Sequence, residues 1–116
     1  LYIALKNGGV FVIDELDRSL HQYLVKHIVE LFADKNINKN NAQIIFTTHD
    51  TSLLSTKYLR RDQIWFTEKD QKTLETCIYP LSEFSTRSSD NLEANYILGR
   101  YGAIPFIKYD NSLFEE

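Results

Sequence analysis

The chain has 116 residues, 43% of them hydrophobic, and a formal net charge of -3. That length is enough for the core of one domain, and the slightly acidic balance supplies no broad positive field to gather nucleic acid or an anionic membrane. A single cysteine, Cys77, excludes an internal disulfide, and no apolar run approaches the roughly 20 residues of a spanning helix, so a soluble chain of a reducing cytoplasm is expected.

Leu1-Tyr2-Ile3-Ala4-Leu5 reads as the last turns of a helix, and Lys6-Asn7-Gly8-Gly9 supplies a basic last turn and glycines able to end it. No methionine occurs, position 1 included, so a piece of a longer protein is the expectation. Val10-Phe11-Val12-Ile13, bounded by glycines before and acids after, predicts a strand buried on both faces, as in a parallel sheet. From Ser19 to about Ala33, Leu20, Leu24, Ile28, Leu31 and Phe32 recur at helical spacing, with Lys26, Glu30 and Asp34 left for the wet face. Asn36 to Asn41 is a turn, after which Gln43 to Thr48 repeats the buried-strand pattern and completes a strand, helix, strand crossover.

Asp50 or Thr51 is placed to cap a short helix through Leu53 and Leu54, with Lys57, Arg60 and Arg61 in a structural role near its C-terminal end. Gln63 to Thr67 and Thr73 to Tyr79 predict a hairpin that finishes the sheet antiparallel, with Pro80 stopping its second strand. Ser85 to Asp90 is a polar loop, Leu92 to Leu98 a short helix ending near Gly99, and Gly102 and Pro105 mark a last turn. The aromatics Tyr2, Phe11, Tyr23, Trp65, Phe66, Tyr101 and Phe106 read as core and interface residues, because no Lys or Arg stripe interleaves them. Without a repeat or linker, residues 1–116 read as one unit.

Open parallel sheets deliver functional side chains at the C-terminal ends of their strands, and the first strand ends in two carboxylates, Asp14 and Glu15. Adjacent acids on extended backbone point different ways, so one can hold a hydrated magnesium ion while the other serves the attacking water. Acids also follow buried strands merely because the chain emerges into solvent. The second strand ends in Thr47-Thr48-His49-Asp50, which brings an imidazole to the same edge; alone, His49 reads equally well as a cap or a structural histidine.

Together these residues resemble the ABC-type ATPases, and among them the bacterial AAA-family proteins related to RecF, SMC and overcoming-lysogenization-defect ATPases. Val10-Phe11-Val12-Ile13-Asp14-Glu15 is similar to a Walker B motif with its catalytic glutamate, Leu16-Asp17-Arg18-Ser19-Leu20-His21 to the following D-loop, and Ile44 to Asp50 to the strand bearing the switch histidine. Looser similarity extends through Asp62-Gln63-Ile64-Trp65-Phe66 and Gly99 to Pro105.

The resemblance implies an α/β fold, a partial P-loop NTPase sheet with parallel strands, a crossover helix and a C-terminal antiparallel hairpin. It implies ATP and magnesium as ligands, with Asp14 positioning the metal through water, Glu15 polarising the attacking water and His49 contacting the γ-phosphate. Asp17 and Ser19 would face a second ATPase domain across a homodimer, although Asp17-Arg18-Ser19 departs from the commonest D-loop wording.

No Gly-Lys-Ser or Gly-Lys-Thr loop and no Ser-Gly-rich signature occurs in these residues, so the resemblance makes them the C-terminal part of an ATP-binding domain whose N-terminal half supplies the phosphate grip. The chain by itself is expected neither to bind ATP tightly nor to hydrolyse it. By analogy such switches belong to DNA-repair or phage-defence systems, and contact with DNA has no support from charge. Two other readings stand beside this one: a non-hydrolytic dimerisation or ligand-sensing module on the ATPase scaffold, and a magnesium-dependent nuclease or phosphatase using Asp14, Glu15, Asp17 and Asp50.

Overall fold

Gly8 takes the left-handed backbone conformation that ends helices, with φ 73°, and its N–H donates to the Ala4 carbonyl at 2.9 Å, which closes helix α1 (Tyr2–Asn7). A side chain there would lie 2.4 Å from the Asn40 carbonyl oxygen, so the close approach as well as the φ angle asks for glycine. The computed structural model describes residues 2–18, 20–87 and 89–104. Ser19, Pro105 and Phe106 lie outside the described residues, as does the side chain of Tyr2. The chain divides into two compact units, Leu1–Arg60 and Arg61–Glu116.

In the first unit, β1 (Val10–Ile13) runs parallel to β2 (Gln43–Phe46), paired from Val10 with Gln43 to Ile13 with Phe46, and helix α2 (Gln22–Ala33) connects them. The helix starts later than Ser19. His21 has extended backbone and its Nδ1 accepts the Tyr23 N–H at 3.2 Å, so His21 is the cap and the first turn follows it.

The buried stripe of α2 is Val25, Ile28 and Val29, flanked by Phe32, whereas Leu24 is 44% exposed. Apolar spacing alone fits both settings of the helix; packing against Leu16, Leu53, Ile13, Ile44 and Phe46 selects this one. Lys26 is drawn off the wet face and lies over the Tyr58 ring, 5.3 Å from its centroid. Between α2 and β2 the buried Asn38 closes the turn, donating to the carbonyls of Phe32 and Ala42 at 2.8 Å each and accepting the Ala42 N–H at 2.7 Å.

The expectation of strands buried on both faces is corrected. Ile13, Ile44 and Phe46 pack on the helix, but Val10, Val12 and Ile45 on the opposite face are 59, 69 and 58% exposed. A helix covers one face of a two-stranded sheet, and no second layer lies on the other among the described residues.

In the second unit, β3 (Trp65–Lys69) and β4 (Thr76–Pro80) form the antiparallel hairpin. It is a sheet of its own, so the expectation of one sheet finishing antiparallel is also corrected. Both strands lie about two residues later than the apolar pattern suggests, because Arg61–Gln63 forms a 3-10 turn and Asp70 organises the loop. Its Oδ1 accepts the N–H groups of Lys72 at 2.7 Å and Thr73 at 3.0 Å. Two backbone hydrogen bonds holds within the loop at Asp70 and Leu74 complete it, Asp70 N–H to the Glu75 carbonyl and Leu74 N–H to the Asp70 carbonyl.

The core of this unit is aromatic. Phe66 lies 5.6 Å from both Tyr96 and Tyr101 and 5.7 Å from Tyr79, and Leu81 and Leu92 are also buried in this unit. Helix α3 (Leu92–Ile97) is capped by the Asn91 side chain, which accepts the Ala94 N–H at 3.0 Å, and ends at Gly99 with φ 79°. Of the aromatics expected inside, Phe66 and Tyr101 are buried while Tyr23 and Trp65 are mostly exposed. Arg61 is structural as expected, donating to the Thr86 carbonyl and hydroxyl. No helix among the described residues is long and apolar enough to cross a membrane.

Candidate functional site

Parallel strands in register end side by side, so the residues after Ile13 and those after Phe46 emerge at one edge of the first unit. The ladder continues one step beyond the strands: Thr47 N–H donates to the Ile13 carbonyl at 3.1 Å, and Leu16 N–H donates to the Thr47 carbonyl at 2.9 Å. Asp14 and Glu15 are thereby held beside Thr47, Thr48 and His49.

Glu15 has φ 53°, the left-handed region that costs an L-residue roughly 1–2 kcal/mol. Its N–H donates to the Thr47 hydroxyl oxygen at 2.8 Å, a bond worth about 1 kcal/mol, so the two terms nearly offset. The same hydroxyl donates to Asp14 Oδ1. The turned backbone sends the Glu15 side chain toward His49, whose Nε2 is 4.0 Å from Glu15 Oε1, and Arg18 Nη1 lies 3.6 Å from Glu15 Oε2. Side-chain exposures of 42% for Glu15, 80% for Arg18 and 87% for His49 make these weak contacts for stability, of order 0–1 kcal/mol each, and leave all three groups reachable from solvent.

Glu15, Asp17, Arg18 and His49 line a cleft of about 410 Å³. Partial burial pushes the Asp17 carboxyl up, but hydrogen bonds from the Thr48 hydroxyl and the backbone amides of Asp17 and His49, with the charge of His49, outweigh it and hold the group below its ordinary value. Asp17 Oδ1 is sealed from solvent with no hydrogen-bond partner among the described residues.

The structure thus brings together Glu15, Asp17 and His49, adds Arg18, and ties Asp14 to Thr47 at the side of the cleft, whereas Ser19 lies outside the described residues. Sequence reasoning assigned no role to Thr47 or Arg18. The signal for Thr47 was its position one residue beyond a strand in register with β1, which sets it against Asp14. Asp50 is occupied otherwise: its carboxylate accepts the Ser52 N–H at 3.0 Å and caps the 3-10 turn Thr51–Leu53. Among the described residues no three His, Cys, Asp or Glu side chains form a set able to hold a metal directly. A hydrated magnesium ion asks for less, since it keeps most of its waters and needs one or two carboxylates, and Asp14, exposed with one oxygen oriented by Thr47, fits that demand.

Residues 1–55 match the family model described as AAA domain, putative AbiEii toxin, Type IV TA system. No curated protein and no solved structure matches the chain. The family match supports an AAA, P-loop ATPase-like family and with it a nucleotide-binding function, and the matched residues contain the whole cleft.

Proposed function

We propose that the strand-end cluster is the Walker B and switch-histidine part of an ABC-type ATP-hydrolysing site. The observation that carries this reading is the approach of Glu15 and His49 to 4.0 Å at the shared end of two parallel strands, with Asp14 anchored alongside. Asp14 would hold a hydrated magnesium ion, which would supply charge neutralisation on the terminal phosphates. Glu15 orients the water that attacks the γ-phosphate and takes its proton, and His49 donates a hydrogen bond to a γ-phosphate oxygen. The segment that contains Asp17 would lie against a second ATPase domain, so that ATP closes a homodimer and hydrolysis opens it; the Ser19 of the same expectation lies outside the described residues.

The phosphate loop and signature segment come from an N-terminal half of the same domain. The exposed face of Val10, Val12 and Ile45 supports that part of the reading, as an apolar sheet face suited to further layers of a P-loop core. By analogy, such a switch belongs to a DNA-repair or phage-defence type of system.

The test is magnesium-dependent ATP turnover by the full-length protein. Glu15→Gln removes the base and keeps the shape, so kcat falls by about 100-fold or more while ATP binding persists. Unchanged turnover in that variant removes Glu15 as the base, and a full-length parent that turns over no ATP sinks the hydrolytic reading and leaves the non-hydrolytic dimerisation or ligand-sensing module in its place.

A further inference from the structure

We propose that Thr47 is a positioning residue whose single hydroxyl sets both strand-end carboxylates, orienting Asp14 for magnesium and holding the backbone turn that aims Glu15 into the cleft; this rests on the ATPase reading above. The direction of its two hydrogen bonds follows from the partners. A backbone N–H only donates, so the Thr47 oxygen must accept from Glu15; an ionised carboxylate only accepts, so the one hydroxyl proton must go to Asp14. With those two bonds made, the hydroxyl proton is committed to Asp14, and the backbone turn at Glu15 is fixed relative to the Asp14 carboxylate.

The backbone of Thr47 reinforces the arrangement, donating to the Ile13 carbonyl and accepting from Leu16 N–H, so that one residue touches each of positions 13 to 16. This is the stretch in which the chain leaves β1 and takes the left-handed conformation at Glu15. Serine retains the hydroxyl; valine keeps the branched shape and loses both bonds.

The experiment pairs Thr47→Val and Thr47→Ser in the full-length protein, with Glu15→Gln run in parallel. Amide hydrogen exchange is measured without nucleotide or metal, and turnover is measured against magnesium concentration at saturating ATP. In Thr47→Val the Glu15 amide exchanges at least about 10-fold faster, because its only hydrogen bond to residue 47 ran through the lost hydroxyl, while the Leu16 amide, bonded to the Thr47 backbone, keeps its protection. The kcat of Thr47→Val falls about 10- to 100-fold, as for partners that orient ligating groups, and half-maximal turnover needs more magnesium. Thr47→Ser stays within about threefold of the parent in all three measurements.

Wild-type exchange at Glu15, or wild-type kcat and magnesium dependence, in Thr47→Val overturns the proposal; if Glu15→Gln still abolishes turnover, the ATPase reading survives that result. Should Thr47→Val also strip protection from Leu16, Thr47→Ser decides: a serine variant as impaired as the valine variant overturns the role of the hydroxyl. Full turnover in Glu15→Gln removes Glu15 and its strand end from the hydrolytic site, and the proposal with it.

Discussion

The two units dispose of their polar groups in opposite ways. In Leu1–Arg60 the core is aliphatic, built from Leu16, Val25, Ile28, Val29 and Leu53, and the polar groups of Glu15, Arg18 and His49 stand at an open cleft held only by weak contacts. In Arg61–Glu116 the core is aromatic and its polar tips are bonded within the unit: Tyr79 Oη donates to the Tyr101 carbonyl at 2.6 Å, Tyr96 Oη to the Ala103 carbonyl at 3.3 Å, and Asn95 Nδ2 to Tyr101 Oη at 3.1 Å. A tyrosine whose hydroxyl already has a partner stabilises the fold and offers little to a ligand, whereas a solvent-facing carboxylate beside an imidazole is available for chemistry. The family match lies within the first unit, where this availability is found.

The sharpest way to break the contrast is to exchange the consequences of substitution. If chemistry is confined to the first unit, Glu15→Gln lowers kcat by about 100-fold or more without lowering the melting temperature, since the side chain is half exposed and makes only weak contacts. Leu81→Ala does the reverse: Leu81 is fully buried, and its truncation destabilises the second unit by about 2–5 kcal/mol, read from chemical denaturation. A melting point lowered by the first, or unaltered by the second, erases the distinction drawn here.

Smaller effects refine it. Tyr79→Phe deletes the hydroxyl from the Tyr101 carbonyl and costs about 1 kcal/mol, without changing ATP turnover. Burial, then the charge of Glu68, raises the Tyr79 phenol above its ordinary value. A raised phenol contributes stability that is complete below the unfolded value of about 10 and is lost as pH climbs through the folded value. Alkaline unfolding curves of the parent and Tyr79→Phe therefore converge at high pH.

Asp17 acts with the opposite sign. Its carboxyl is held below the ordinary value, so its contribution is present above about pH 3.9 and disappears as pH falls through the lower folded value. Replacing it with asparagine removes that acid-side component from the first unit, and a variant whose acid unfolding matches the parent at every pH contradicts the assignment.

Much of the plan was legible along the chain. Glycine after α1, the β-branched run of β1, the crossover helix, the paired apolar runs of the hairpin and the glycine that ends α3 each depend on a few neighbouring residues, and local propensity with hydrophobic period is enough to find them. The acids at the end of β1 and the histidine beyond β2 were legible for the same reason. The rotation of α2 was not: Leu24 and Val25 are both apolar, and only the residues packed against the helix choose between them.

What the residue order determined by itself was the succession of elements and which chemical groups stand at the strand ends, because both follow from short-range patterning. Tertiary structure decided that the hairpin forms a separate sheet, that Val10, Val12 and Ile45 stay uncovered, and that Thr47 bridges Asp14 and Glu15 from more than 30 residues away. The physical reason is that a hydrogen bond across two strand ends exists only once their register is set, and no local pattern around Thr47 encodes the partner that the register brings to it.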